Sequence, residues 1–220
     1  VEDLVATRNA FSRQSIDERL EMIRTLRKTF KPVTSRWVEG AHEAKGVVQG
    51  SPAEAEDWLA GPLLIQRNLR LLEEALEYFK KNGKPYLPGG NAVRTWGNGQ
   101  VIADVFPAPG YDKLLFTGFT ASVIMQDDVT LENLQENMMW EYTRDVSPER
   151  EGKVALVLGA GNVSSIGPMD VFTKLFQEGQ VCILKMNPVN EYFGPLIEEG
   201  FKPLVDAGFL RVVYGGAEVG

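Results

Sequence analysis

The stretch VALVLGAGN, Val154 to Asn162, decides how this chain is read. A run of apolar, mostly β-prone residues breaks into two glycines separated by one alanine, the local order of a buried strand ending in a tight turn. The rest of the chain repeats the alternation. Pro168 to Glu178 has the spacing of an amphipathic helix, Val181 to Leu184 is a second apolar run, Pro195 to Ala207 is a second helix closed by Gly208, and Leu210 to Tyr214 is a third run. Short strands alternating with helices of this length predict a parallel sheet, so residues 151–220 read as the first half of a Rossmann-like α/β domain.

Upstream, the pattern is different. Ser15 ahead of Ile16, Asp17 and Glu18 resembles a capping box, and Ile16, Leu20, Ile23, Leu26 and Phe30 follow at helical spacing up to Pro32. A further helical pattern runs through Trp37 and Val38, and Pro52 opens an acidic one that holds Trp58 and Leu59. Pro62 to Lys80 reads as a long amphipathic helix, with Leu64, Leu69, Leu72, Leu76 and Phe79 on its buried side and Lys80-Lys81-Asn82-Gly83 at its end. Residues 1–84 therefore form a helical amino-terminal segment. From Pro85 the composition turns to Gly, Pro and Asn around short β-prone runs, in LPGGNAVRTWGNGQVIADVFPAPG, which reads as a strand-rich arm. Strands of this kind often offer an edge to a partner subunit. Thr130 to Arg144 completes this segment, 85–150, as a helix whose Met138 and Met139 fill gaps in the core. The polar run Ser147 to Gly152 is the boundary before the final domain.

Composition excludes several classes. The net charge of -7 and pI near 4.9 argue against a nucleic-acid surface. Arg24, Arg27 and Lys28 sit at helical spacing and read as a solvated face. No apolar stretch is long enough to span a membrane, and the opening VEDLVATRNAF lacks the order of a secretory signal. The single cysteine, Cys182, rules out an internal disulfide framework and a zinc knuckle, and the expected location is cytoplasmic. With His42 the one histidine and no nucleophile near it in sequence, no metal site is expected and a surface role is assigned to it.

The turn itself fits a dinucleotide fingerprint only in part. Gly159-Ala160-Gly161-Asn162-Val163-Ser164 supplies the first two glycines of G-x-G-x-x-G but not the third, and the next strand ends in Lys185 where an acidic residue would hold a ribose. The P-loop pattern is absent. Three features read together favour nucleotide binding: Asn162 at the carboxyl edge of the first strand, Lys185 at that of the second, and Gly215 and Gly216 at that of the third. Ligands of open α/β sheets bind at this edge.

VALVLGAGN, followed by KLFQEGQVCILKMNP and then LVDAGFLRVVYGGAEVG, resembles the cofactor-binding region of the aldehyde dehydrogenase superfamily across 151–220, with a looser likeness upstream. The resemblance implies that the Asn162 amide helps to hold the oxyanion formed when a catalytic thiolate attacks an aldehyde; on the residues alone, Asn162 could equally cap the next helix or take a left-handed turn. It implies that Lys185 binds the adenosine ribose, that Gly159, Ala160 and Gly161 lie beside the cofactor, that Gly216 lets the adenine end approach, and that Asn187 contributes to the same site. Ala160 and Gly161 replace the family's usual Pro and Trp. Pro188 stands where many NAD-preferring members carry a glutamate, which leaves the choice between NAD and NADP open. Neither the family's nucleophilic cysteine nor its general-base glutamate is in this sequence, and Cys182, inside an apolar strand, cannot substitute. The expected protein is thus the amino-terminal part of an NAD(P)-dependent aldehyde dehydrogenase-like enzyme, a homo-oligomer acting on a small-molecule aldehyde, with an acyl-CoA reductase as the close variant. The alternative is a truncated, non-catalytic module that binds a dinucleotide or a partner subunit.

Overall fold

The structure, a computed structural model, describes residues 1–86, 93–107, 110–143 and 150–219. Parts of the Gly/Pro-rich stretch (87–92 and 108–109), the helix end expected at Arg144 and the first half of the polar boundary (147–149) lie outside these. The elements, in order, are α1 (Glu2–Ser12), α2 (Ile16–Phe30), α3 (Thr34–Lys45), α4 (Glu54–Trp58), α5 (Leu64–Asn82), β1 (Val93–Thr95), β2 (Val101–Phe106), α6 (Tyr111–Leu115), β3 (Ala121–Ile124), α7 (Trp140–Thr143), β4 (Lys153–Leu158), α8 (Ile166–Phe172), β5 (Gln180–Lys185), α9 (Gly194–Gly200), α10 (Lys202–Asp206) and β6 (Leu210–Val213). The fold class is α/β, with a helical amino-terminal segment, an antiparallel sheet and a partial Rossmann-like parallel sheet.

Two compact units divide the chain. One gathers the described residues of Val1–Glu77 and Val146–Gly220, and the other those of Tyr78–Asp145. The division differs from the three consecutive segments 1–84, 85–150 and 151–220, because the first and last thirds of the chain pack on each other.

In the first unit β4, β5 and β6 form a parallel sheet in that order, with Leu158 beside Lys185 and Lys185 beside Val213. Neighbours in a parallel ladder share a face. Ala155, Val157, Cys182, Leu184 and Leu210 make the buried face, and α8 covers it closely enough that a methyl on Gly167 would stand 3.3 Å from Leu184. Leu156 and Leu158, on the other face, are 56% and 60% exposed.

The helices form for local reasons and are placed by tertiary ones. At α2 the Ser15 hydroxyl accepts from the Glu18 amide at 3.3 Å while the Ser15 amide donates to the Glu18 carboxylate at 2.7 Å, the expected reciprocal cap. Pro32 turns the chain through a 3₁₀ segment, Lys31–Val33, and α3 ends at Gly46, whose φ of 66° requires glycine. Pro62 falls in a π-turn, Leu59–Leu63, so the long helix begins at Leu64.

Helix α1 lies within the expected helical segment 1–84, but no periodic pattern delimits it. Its buried apolar residues, Leu4 and Phe11, are too few to show a period. Phe11 packs edge-on against Phe176 and tilted against Phe209, whose ring centroids lie 6.3 and 4.9 Å away.

In the second unit β1, β2 and β3 pair antiparallel in that order, over a small core of Val101, Val129 and Leu134, with Val93, Met125 and Met138 packed against it. Met138 thus fills core space as expected. The helix expected from Thr130 is corrected: residues 131–139 are turns, and only Trp140–Thr143 is helical. Asparagine side chains compete with the helical backbone here. Asn133 Nδ2 donates to Asp128 O at 3.1 Å and Asn137 Nδ2 to Asn133 O at 3.0 Å, while Met139 takes a φ of 48° that ends any right-handed run.

A second correction concerns Pro195 to Ala207. A 3₁₀ segment, Pro188–Phe193, leads into α9, and the chain breaks at Phe201 before α10. Pro203 supplies no amide to bridge that break.

Candidate functional site

The in-register ends of the three strands bring Gly159–Asn162, Lys185–Pro188 and Tyr214–Gly216 to one edge of the sheet. Gly159 N donates to Lys185 O at 2.8 Å, and Met186 N to Val213 O at 2.8 Å, so the ladder runs on into the loops. The glycines are there for close approach. A Cβ on Gly159 would stand 3.0 Å from Lys185 O and 3.2 Å from Asn187 N, and one on Gly161 would stand 3.1 Å from the Asn187 side-chain amide.

Asn187 does two jobs at once. Its carboxamide packs against Gly161, and its Oδ1 accepts from Val189 N at 3.0 Å to cap the 3₁₀ segment. Asn190, 8% exposed, donates from Nδ2 to Ala160 O at 2.9 Å and so pins the turn from below. Trp37 Nε1 donates to Ser164 Oγ at 3.0 Å, and Trp37 itself stacks on Phe193 with centroids 4.3 Å apart.

Asn162 is exposed and makes no hydrogen bond among the described residues. It does not cap α8, whose N-cap is Ser165, and its φ is not positive. Both structural explanations for an asparagine at this position are therefore absent.

Gly161 and Asn162 open onto a narrow crevice of about 20 Å³, whose other walls include Lys45, Glu56, Asp57, Asn190 and Tyr192. Lys45 Nζ bonds Asp57 Oδ1 at 2.6 Å and Glu56 Oε1 at 3.1 Å. Burial works against the Lys45 charge, but these two carboxylates outweigh it and hold the ammonium above its ordinary value. Burial pushes the Tyr192 hydroxyl up, with the Asp57 charge adding to it and Lys45 opposing. His42 is half-buried rather than a free surface residue: Nε2 lies 3.3 Å from Glu54 O and 3.6 Å from Asp57 Oδ2.

Lys185, Asn187 and Gly216 do not line this crevice; they sit farther along the same edge. Lys185 is 8% exposed, yet its ammonium has neither a hydrogen bond nor an ion pair among the described residues. Glu218 folds back over Gly216, its Oε1 accepting from Gly216 N at 2.9 Å. Cys182 is buried, and burial pushes its thiol up to about 12, leaving it protonated and inert.

Sequence reasoning missed Lys45, Asp57, Asn190 and Tyr192. The acidic run around Trp58 was the one available signal for the first pair, and nothing local linked it to the glycine turn. Among the described residues no group of His, Cys, Asp and Glu is placed to hold a metal ion, and no helix is long and apolar enough to cross a membrane. No family model matches the chain, and no curated protein matches it.

Proposed function

We propose that this chain is the cofactor-binding, amino-terminal part of an NAD(P)-dependent aldehyde dehydrogenase-like oxidoreductase of the cytoplasm. The observation that carries the reading is Lys185: a largely buried side chain at the end of the central parallel strand, whose ammonium has no acceptor among the described residues. An ammonium at a strand end gains from an acceptor placed against it, and ribose hydroxyls are acceptors of the right kind. The fit extends to Gly159 and Gly161, whose missing side chains leave backbone open beside the strand end. A bound nicotinamide dinucleotide would supply the hydride acceptor. Lys185 would hold its ribose, the 159–161 turn would lie along it, and the unengaged Asn162 amide would donate to the oxyanion formed on a small-molecule aldehyde.

Isothermal titration of the intact protein with NAD and NADP tests this. At least one dinucleotide binds, and Lys185→Ala weakens that binding by roughly 10-fold or more, the worth of a charge-assisted hydrogen bond, without moving the thermal midpoint. Unchanged affinity removes Lys185 from the site, and absence of binding to either dinucleotide ends the reading.

A second reading, a module for subunit association, rests on the exposed apolar residues of the second unit. Tyr111, Leu114, Leu115 and Phe119 are each at least two-thirds exposed, and β3 is exposed on both faces along an edge. The two readings are compatible in a homo-oligomer.

A further inference from the structure

The corner of the edge between the ends of β5 and β6 carries charges that dinucleotide binding alone does not require. Glu191 Oε1 accepts from Gly215 N at 2.7 Å, and Glu218 Oε1 accepts from Gly216 N at 2.9 Å. Behind them the Tyr214 hydroxyl donates to Glu198 Oε2 at 2.9 Å. Burial pushes that hydroxyl up to about 12, and the bond to Glu198 and the charges of Glu198 and Glu191 add to the effect. The charge of Lys185 reaches Glu218: the backbone amides of Glu218 and Gly216 hold the Glu218 carboxyl below the ordinary range, and Lys185 adds to their effect. Three carboxylates thus stand against one ammonium.

In doubly wound sheets the end of the second strand is where an acidic side chain takes the ribose 2′-hydroxyl, or an arginine nearby accommodates a 2′-phosphate. The second strand here ends in Lys185, and neither Lys185–Gly194 nor Tyr214–Val219 contains an arginine. A 2′-phosphate would bring roughly two more negative charges to a corner that is already acidic. Glu198 is engaged by Tyr214, but Glu191 and Glu218 are fixed on the glycine amides at the very edge. The space that lets Glu218 fold over the turn exists because residue 216 is glycine: a Cβ there would stand 2.5 Å from Glu218 Oε2.

We propose that Glu191 and Glu218 make this site selective for NAD over NADP, together taking the part of the strand-end carboxylate that Pro188 does not supply. The inference rests on the dinucleotide reading above. A ribose with a free 2′-hydroxyl finds a donor in Lys185 and acceptors in the carboxylates, whereas a phosphorylated one meets repulsion.

Calorimetric titration of the intact protein with NAD and with NADP, repeated on Glu218→Gln and on Glu191→Gln/Glu218→Gln, tests it. The glutamine at 191 keeps an acceptor for Gly215 N, and position 218 is exposed, so folding is preserved; a thermal scan verifies that. The unsubstituted protein is expected to bind NAD about 10-fold or more tightly than NADP at low salt, and the double variant to narrow that ratio to roughly 3-fold or less. Equal affinities in the unsubstituted protein, or a preference for NADP, overturn the selectivity and leave dinucleotide binding standing. An NAD preference that the double variant retains overturns the assignment to these two carboxylates. If neither dinucleotide binds, the functional reading itself fails, and this inference with it.

Discussion

Asn162 is an exposed amide with no duty in the turn that carries it, since the turn is held instead by Asn187 and Asn190. Removing it should therefore cost chemistry and not structure. On the proposed dehydrogenase reading, Asn162→Ala is expected to lower kcat by about 10²- to 10³-fold, the usual loss for one oxyanion donor, with dinucleotide affinity and thermal midpoint unchanged. Steady-state kinetics with an aldehyde, beside a thermal scan, measures both; a collapse of the midpoint with kcat per folded molecule intact would make Asn162 a structural residue. Cys182 makes the opposite prediction. With burial holding its thiol near 12, the peptide that contains it should stay unlabelled by a thiol reagent at pH 8 in the native protein, and become labelled in denaturant. Native labelling at pH 8 would show that the strand opens.

Elements are joined by ion pairs as well as by apolar faces, and the clearest case links α2 to α5. The Glu73 carboxylate, 14% exposed, bonds both Arg24 and Arg27. Burial opposes its ionisation, but the two guanidinium groups outweigh burial and hold the carboxyl below its ordinary 4.5. A carboxylate with a depressed folded pKa contributes stability above its unfolded pKa and loses it as pH falls through the folded value. Glu73→Gln should thus destabilise the protein by about 1 kcal/mol at pH 7 in urea titrations, and the difference should shrink below about pH 4. A difference independent of pH would assign the effect to packing. At this scale the sequence was most legible where local chemistry suffices: the Ser15 cap, the three parallel strands and their glycine turn were all readable from spacing. It was least legible where distant groups decide. Helix α1 has two buried apolar side chains and owes its place to Phe176 and Phe209, and the 130–139 turns result from asparagine side chains outcompeting a helix that apolar spacing favoured. Likewise Gly159, Asn162 and Lys185 stood out as candidates from their places at strand ends, whereas the Lys45–Asp57 pair on the far wall of the crevice became visible only once α3 and α4 were seen against the turn.

On the scale of the molecule, the first unit is assembled from the two ends of the chain. Its aromatic core includes four pairs that join them: Phe11 with Phe176 and with Phe209, Phe30 with Phe201, and Trp37 with Phe193. Trp37, Phe30 and Phe201 are fully buried, so each half of these pairs would be laid open to water if the other were missing. Losing the apolar partner of a buried aromatic costs about 3–5 kcal/mol per site, against a total domain stability of only about 5–15 kcal/mol. The helical segment 1–84, though continuous and rich in helix signals, should therefore not fold by itself. Expressed alone, it is expected to show partial helicity, no cooperative thermal transition and strong binding of an apolar dye; the full chain should unfold cooperatively, with Trp37 shielded in the folded state. A sharp two-state transition in the isolated segment would mean that its helices carry their own core, and that the aromatic pairs with the parallel sheet are an interface between separately stable parts. The expected failure to fold would instead tie the helices to the carboxyl edge of the parallel sheet directly, because Trp37 is both a core residue on Phe193 and the donor that holds Ser164 beneath the Asn162 turn.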